Sequence, residues 1–218
     1  MNGKKLPQKP LQLLVIDDHQ IVITGIRFLL KNSIPSATVE GILSTDGLSK
    51  TLKTKTYDLV ILDINMPGSD THSLIHLIKS MQENIKILIF SMNSEELFAK
   101  RYFKLGANGY LMKEADQGDL VTAINKVMSG GRYISPKLLE QISEDAVTGR
   151  TSNIFDDLTA REFEILKLLV RGYGIKEIAS LTNLHQSTIS THKTKIFEKT
   201  SATNIVELKE IASLHNLL

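Results

Sequence analysis

The first 130 residues alternate between two hydrophobic patterns. Short apolar runs bounded by turn residues predict strands, and the stretches between them repeat apolar residues at helical spacing. We expect strands at residues 12–16, 37–42, 58–62, 85–90 and 108–112. We expect helices at residues 19–32, 45–54, 69–81, 94–104 and 115–129. Because the strands are almost continuously apolar, both sheet faces must be covered, and the pattern predicts an α/β fold with a doubly wound, five-stranded parallel sheet.

The chain beyond about residue 158 shows helical periodicity alone. We expect four helices, at residues 160–171, 175–182, 186–199 and 204–215. Thr159 stands three residues before Glu162, which is the spacing of a capping box. Leu158 and Phe163 occupy the positions of a hydrophobic staple. A short turn at residues 183–185 separates the second and third helices, which is typical of a helix-turn-helix in a small all-α domain.

The apolar and polar faces of these later helices predict a core and an exposed surface. We expect the core to contain Leu166, Leu169, Ile178, Ala179, Leu181, Leu184, Ile189, Ile196 and Leu208. The opposite face of the third helix carries Ser187, Ser190, Thr191, Lys193, Thr194 and Lys195.

Glycine and polar residues separate the two patterns. Gly130 and Gly131 end the last helix of the first part, and a polar stretch then continues to Asp157. We therefore expect a first domain at residues 11–130, a linker at 131–157 and a second domain at 158–218. Residues 136–142 could hold one short helix within the linker.

Composition excludes some classes of protein. The chain has no cysteine, which excludes disulfides, thiolate metal sites and cysteine nucleophiles. No apolar run is long enough for a membrane span, and no hydrophobic stretch follows the lysines near the N-terminus, so we expect a cytoplasmic protein without a membrane partner. The net charge is only +2, but Lys193, Lys195 and Lys199 fall within two helical turns and form a local basic patch.

Three carboxylates stand where ligands bind in a parallel sheet, beyond the carboxyl ends of strands. Asp17 and Asp18 follow the first strand, and Asp63 follows the third. Two such charges about 4 Å apart repel by roughly 4 kcal/mol at an effective dielectric near 20, so the cluster needs a cation or a shared proton. Oxygen ligands of this kind suit Mg²⁺. The first loop lacks the glycines of a nucleotide-binding turn, which favours metal-assisted phosphoryl transfer.

The first domain resembles the receiver domain of bacterial two-component response regulators, a flavodoxin-like fold, over its whole length. The resemblance rests on the acidic pair, the Leu-Asp-Ile-Asn-Met-Pro-Gly segment around Asp63, and three residues at the ends of the last two strands. It implies that a cognate sensor histidine kinase phosphorylates Asp63. It also implies that Mg²⁺ is held by Asp17, Asp18, Asp63 and the backbone carbonyl of Asn65. The phosphoryl-binding and switch residues would be Lys113, Ser91 and Tyr110: Lys113 would pair with a phosphoryl oxygen, and Ser91 would move to bond another, vacating space into which the Tyr110 ring turns.

Residues 158–208 resemble the LuxR-type helix-turn-helix of the NarL/FixJ family over their full length. In that motif the second helix of the pair enters the major groove of DNA. The resemblance implies DNA contacts by Lys176, Ser187, Ser190, Thr191, Lys193, Thr194, Lys195 and Lys199. Ser190, Thr191 and Thr194 would reach base edges, and the lysines would meet phosphates. Ser190 stands where many members have lysine, which removes a possible guanine contact.

The two resemblances together imply a transcription factor, not an enzyme, whose homodimerisation and binding to double-stranded promoter DNA are controlled by phosphorylation. Two alternatives stay open at this point. One is a metal-dependent, phosphatase-like enzyme with an accessory helical domain, and the other is an interaction protein whose receiver signals by docking only. His19, His72 and His76 receive no role, because surface histidines are common.

Overall fold

The computed structural model describes residues 10–66, 71–140, 143, 154–155, 157–215 and 217. Five strands are present: β1 Gln12–Ile16, β2 Thr38–Ile42, β3 Leu59–Leu62, β4 Lys86–Ser91 and β5 Gly109–Met112. Five helices alternate with them: α1 Gln20–Ser33, α2 Leu48–Thr54, α3 Thr71–Met81, α4 Glu95–Lys104 and α5 Gln117–Met128. The predicted α/β fold is therefore confirmed.

The strands form one parallel sheet in the order β2-β1-β3-β4-β5. Ile16 pairs with Leu62, and Ser91 pairs with Met112, so the carboxyl ends of these four strands lie side by side. The residues that follow them, Asp17, Asp63 and Lys113, therefore meet at one edge of the sheet. This register brings together side chains that lie far apart in the sequence.

The predicted element boundaries agree with the structure to within a few residues. The largest difference is at α2, which begins at Leu48 and not at residue 45. Gly47 precedes it in the left-handed region with φ 77°, a conformation that ends the preceding turn and cannot be part of the helix. The expected first residues of α3, 69 and 70, lie outside the described residues.

Apolar side chains cover both faces of the sheet. On one face β1, β3 and β4 pack against α1 and α5 through residues such as Ile23, Leu30 and Ile124. On the other face the core includes residues of α2, α3 and α4, and it continues without a break into the second half of the chain. Both faces are buried, as the apolar strands predict.

The second half contains α6 Ala160–Val170, α7 Ile175–Thr182, α8 Gln186–Thr200 and α9 Ile205–Leu214. The capping box is confirmed: the Thr159 hydroxyl accepts from the Glu162 backbone N–H, and the Thr159 N–H donates to the Glu162 carboxylate at 2.9 Å. Leu158 and Phe163, the predicted staple residues, are both buried. Asn204 caps α9 by accepting from two backbone N–H groups.

The predicted core of this half is confirmed except at Leu181, which is 44% exposed. The buried residues of α7 are Ile178 and Ala179. Leu181 lies three residues after Ile178 but off the stripe that runs from Ile175 through Ile178 and Ala179 to Thr182, so its side chain faces outward. Leu184 is partly buried against the core.

The segment after α5 is attached to the edge of the sheet. Tyr133 forms an isolated parallel bridge with Gly109 of β5. The Ser135 N–H donates to the buried carboxylate of Glu95 at 2.9 Å, and residues 136–140 are helical. The predicted short helix is therefore present in part, and Ile142 lies outside the described residues. None of the helices in the described ranges is long and apolar enough to cross a membrane.

Candidate functional site

An acidic pocket lies at the carboxyl edge of the sheet, where the sequence predicts it. Asp17 and Asp63 are buried, and the Asp18 side chain is 27% exposed. Backbone hydrogen bonds extend the sheet by one residue and fix the positions of Asp17 and Asp63. The Asp17 N–H donates to the Ile42 carbonyl, and the Asp63 N–H donates to the Ile16 carbonyl. The structure therefore brings the predicted carboxylates together and prevents water from surrounding two of them.

Lys113 supplies the positive charge in this pocket. Its Nζ lies 2.6 Å from Asp17 Oδ2 and 2.8 Å from Asp63 Oδ2. Burial opposes the charged form, but the hydrogen bonds and attraction from the two carboxylates outweigh it and raise the pKa of Lys113. The ammonium group is therefore permanently charged at neutral pH and stands beside the oxygen that would carry a phosphoryl group.

The donor set fits a hard divalent cation. Ligand atoms of Asp17, Asp18, His19 and Asp63 all lie within 4.8 Å of one another. Asp18 Oδ1 is buried and accepts no hydrogen bond from the described part of the chain. A buried carboxylate oxygen without a donor is costly, and a cation would satisfy it. Asn65, the predicted carbonyl ligand, is held at the pocket because its N–H donates to Asp63 Oδ1 at 3.0 Å.

A chain of polar contacts leads from the pocket to the predicted switch residues. The Asn65 side-chain amide donates to the Ser91 hydroxyl at 3.3 Å, and the Asn93 amide donates to the Asn65 side-chain carbonyl at 3.1 Å. The Tyr110 hydroxyl donates to the Asn93 backbone carbonyl at 3.0 Å. Ser91 and Tyr110 are both fully buried, and burial raises the pKa of the Tyr110 hydroxyl.

The position of the Tyr110 ring bears on its predicted role as a switch. The ring is buried, held by its hydrogen bond to Asn93 and by Tyr102, whose ring centroid is 6.3 Å away. It therefore lies in the inward position that the resemblance assigns to it.

Thr71, the first residue of α3, connects this helix to the loop after β3. Thr71 is buried, and its hydroxyl donates to the Ile64 backbone carbonyl at 3.0 Å. The threonine therefore ties the start of α3 to the strand end that carries Asp63.

The polar face of α8 is open to solvent. Ser187, Ser190, Thr191 and Thr194 are exposed. The last three bond back to their own helix, because each hydroxyl donates to the backbone carbonyl four residues earlier. Their oxygens remain able to accept, and each hydroxyl would have to rotate before it could donate to a base.

The predicted lysines of this region fall into two groups. Lys176 and Lys195 are exposed, and Lys193 is half-buried with its Nζ 5.5 Å from the Phe197 ring centroid. Lys199 is also exposed, but its Nζ lies 2.6 Å from the buried Glu162 carboxylate. Burial favours the neutral form of Glu162, but Lys199 and the Thr159 cap outweigh it and lower the pKa of that carboxyl. Lys199 therefore has a partner within the fold.

Helices α4 and α6 pack directly on each other and join the two halves of the molecule. The Phe98 and Phe163 rings meet edge to face at 4.8 Å, and the Arg101 guanidinium lies 3.8 Å from the Phe163 ring centroid. Arg101 also donates to the Phe155 backbone carbonyl. Lys167 Nζ lies 4.9 Å from the Phe98 ring centroid. We call these five residues the α4–α6 contact.

Sequence reasoning missed two sets of residues. His19 stands beside the acidic pair, and its Nδ1 lies 2.8 Å from Asp18 Oδ1, so adjacency to the pair was a usable signal. The α4–α6 contact had no such signal, because apolar and basic residues at helical spacing are also what an ordinary surface helix shows.

Comparison with known proteins identifies both halves. Residues 13–125 match the family model described as response regulator receiver domain, and residues 156–212 match the model for bacterial regulatory proteins of the luxR family. The Fimbriae Z protein of Salmonella typhimurium is 39% identical over 96% of this chain and 100% of its own length. The response regulator GacA of Pseudomonas aeruginosa is 30% identical over 95% of this chain and 98% of its own.

A solved structure also matches both halves at once. It is RcsB from Salmonella enterica serovar Typhimurium, bound to promoter rprA in the presence of the phosphomimetic BeF₃⁻. The likeness has a TM-score of 0.73 at 25% identity and covers 93% of this chain and 98% of that one.

Proposed function

The chain belongs to the response regulators that join a receiver domain to a LuxR-type DNA-binding domain, and from that premise we propose that a phosphoryl group on Asp63 controls its dimerisation and promoter binding. The protein is a two-component transcription factor. The domain division at residues 11–130, 131–157 and 158–218 is part of the proposal. The ranges matched by the two family models, 13–125 and 156–212, support it.

The observation that carries the proposal is the buried contact of Lys113 with Asp63. Asp63 attacks the phosphorus of a phosphohistidine on the partner kinase, so that an O–P bond forms as the P–N bond breaks and the histidine leaves. Lys113 stands where it would pair with an oxygen of the transferred group. The protein accepts one phosphoryl group per chain and does not turn over a free substrate, which distinguishes it from a phosphatase-like enzyme.

Mg²⁺ fits the same pocket. Asp18 and Asp63 would hold it directly, Asp17 through water, and the Asn65 carbonyl would complete the protein ligands. The bound cation supplies positive charge that offsets the charge of the transferring phosphoryl group. Lys113 occupies the space between Asp17 and Asp63 in this structure, so it would move from Asp17 towards the phosphoryl group.

Phosphorylation would act through Ser91 and Tyr110. The Ser91 hydroxyl would bond a phosphoryl oxygen and leave the Asn65 amide, which changes the contacts of Asn93 and therefore of the Tyr110 hydroxyl. Phosphorylation would thereby shift the balance between two arrangements of these contacts. Tyr102 packs beside both Tyr110 and Phe98, so the α4–α6 contact is the physical route to the DNA-binding domain.

The outward face of α8 would read DNA in the major groove. Ser190, Thr191 and Thr194 would reach base edges, with Ser187 as a further DNA contact, and Lys176, Lys193 and Lys195 would meet phosphates. Lys199 is left out of this set because its ammonium group already pairs with Glu162. The related RcsB is bound to promoter DNA, which supports this role for the shared fold.

The proposed assembly is a two-fold dimer formed on phosphorylation. One recognition helix makes few base contacts, so specificity calls for two half-sites about 34–36 Å apart and a matching pair of helices. Val206 and Leu214 of α9 are exposed apolar residues, at 62% and 82%, that a dimer could cover. The proposed location, the cytoplasm, is where a sensor kinase and promoter DNA would both be accessible.

The test combines labelling with DNA binding. The full chain is incubated with Mg²⁺ and a small phosphodonor, and we expect one hydroxylamine-labile label per chain that Asp63→Asn abolishes. Gel-shift and light scattering should then show tighter promoter binding and a doubled mass only for the labelled wild type. Continuous release of product would instead support an enzyme. Equal mass and DNA affinity with and without label would contradict phosphorylation control.

A further inference from the structure

His19 lies at the mouth of the acidic pocket and has no role in the function proposed above. Its ring Nδ1 is 3.2 Å from Asp17 Oδ1 and 2.8 Å from Asp18 Oδ1. The side chain is 63% exposed, so a ring nitrogen can be reached from solvent while it faces two carboxylates. A nitrogen donor thus borders an otherwise all-oxygen site.

The ring is not needed to cap α1. His19 is the N-cap residue of that helix, and its side chain makes no capping hydrogen bond. Its backbone N–H donates to Asp17 Oδ1 at 2.9 Å, which holds the residue against the pocket. An N-cap position normally favours serine, threonine, aspartate or asparagine, so helix capping does not account for histidine here.

The spacing of these atoms matches that of ligands around one ion. Adjacent ligands of an octahedral ion with bonds of about 2.1 Å lie about 3.0 Å apart, and the two nitrogen–oxygen distances fall on either side of that value. Although Nδ1 is 2.8 Å from Asp18 Oδ1, this oxygen accepts no hydrogen bond from the residues that the structure describes. The approach to Asp18 is therefore not an aligned hydrogen bond, whereas the same Nδ1 is in hydrogen-bond geometry with Asp17 Oδ1 at 3.2 Å.

We infer that His19 is a nitrogen ligand of the cation site and sets its preference among divalent ions. Mg²⁺ selects oxygen ligands and gains little from imidazole, whereas Mn²⁺, Co²⁺ and Ni²⁺ bind imidazole increasingly well. The pocket would then favour these ions over Mg²⁺ more than its carboxylates alone would. The inference rests on the proposed function only in that Asp18 and Asp63 must form the cation site.

The experiment uses the full unphosphorylated chain with Mn²⁺, Ni²⁺ or Mg²⁺ as the probe. Every protein carries His76→Asn, because His72 and His76 form a neighbouring ring pair 4.9 Å apart that could itself bind Ni²⁺. His19→Asn is compared with His185→Asn. His185 is also an N-cap residue without a side-chain capping bond, and asparagine caps well, so the two changes affect helix ends alike.

Electron spin echo spectroscopy of bound Mn²⁺ detects a coordinated imidazole nitrogen directly. We expect the nitrogen signal in the background protein and in His185→Asn, and its loss in His19→Asn. Calorimetry measures the affinity for each ion. Ni²⁺ affinity should fall at least about tenfold in His19→Asn, because even a residue that only contacts a metal ligand typically contributes that much. Mg²⁺ affinity should stay the same.

Two results would overturn the inference: no nitrogen signal in the background protein, or an unchanged ratio of Ni²⁺ to Mg²⁺ affinity in His19→Asn. Asp18→Ala separates this failure from failure of the proposed site. If Asp18→Ala loses Mg²⁺ while His19→Asn changes nothing, only the role of His19 is wrong. If Asp18→Ala keeps Mg²⁺, the cation site itself lies elsewhere and both ideas fail.

Discussion

The acidic pocket and the outward face of α8 differ in where their charges find partners. In the pocket, the ammonium group of Lys113 pairs with the buried carboxylates of Asp17 and Asp63 across three strand ends. On α8, Lys195 is exposed and has no ion-pair partner among the described residues. Charges that pair within the fold contribute to its stability, whereas charges that point outward contribute to binding a ligand. Substitutions should therefore cost stability in the pocket and binding on α8.

The largest expected effect is in the pocket. Lys113→Met leaves two buried carboxylates without their cation, and breaking a buried ion pair in this way costs about 3–5 kcal/mol of unfolding free energy. Urea titration measures it, with exposed Lys53→Met as the matched control. Added Mg²⁺ should restore part of the loss, because it neutralises the same carboxylates. A loss no greater than that of the control would show that solvent already screens the pocket.

The α4–α6 contact connects the two regions, and Arg101→Met tests it. The variant removes a charged donor from the Phe155 carbonyl, a hydrogen bond that contributes about 1.5–3 kcal/mol. We expect the domains to separate in more of the molecules. Since the chain has no cysteine, spin labels on two introduced cysteines, at Lys50 and Lys209, report the distance alone. Exposed Arg27→Met is the control, and an identical distance distribution in Arg101→Met would contradict the coupling route.

Two lysines of α8 allow the comparison within a single helix. Lys195→Ala should leave stability unchanged and reduce the salt dependence of DNA binding by about 0.9 in log–log slope, the value of one phosphate contact. Lys199→Ala should leave that slope unchanged but lower the unfolding free energy by about 1–3 kcal/mol, because the buried Glu162 loses its charged partner. Gel-shift at several salt concentrations measures the slope for each variant, and urea titration measures the unfolding free energy of each. Reversed outcomes would exchange the roles of the two residues.

The effect that is smallest near neutral pH is a pH dependence of the α4–α6 contact. Burial, with Arg171 nearby, lowers the pKa of Lys167 from 10.5 to about 8. The docked state then binds fewer protons than the separated state, so docking should strengthen as pH rises from about 8 to 10.5 and be constant below that window. The same spin-label distances measure it. Lys167→Met should dock without this pH dependence, and an equal response in that variant would assign the effect to another group.

Much of the fold and pocket follows from the sequence, because both depend on local patterns. Strand positions follow from short, almost continuously apolar runs, and helix positions from a period of 3.6 residues; both patterns depend only on neighbouring side chains. The pocket residues follow from their positions at strand ends, since parallel strands align those ends wherever the sheet forms. The capping box at Thr159 is likewise a local pattern, and it is present as predicted.

Tertiary structure decided what depends on residues far apart in the chain. Leu181 faces outward because the face of α7 that packs against the core is the one that carries Ile178 and Ala179. Lys199 and Lys195 look alike in the sequence, yet only Lys199 faces Glu162, 37 residues away. The contact of Arg101 with Phe155 spans 54 residues and depends on how the two domains pack. Local periodicity sets which face of a helix is apolar, but the partner of a particular side chain is set by long-range packing, which no short stretch of sequence contains.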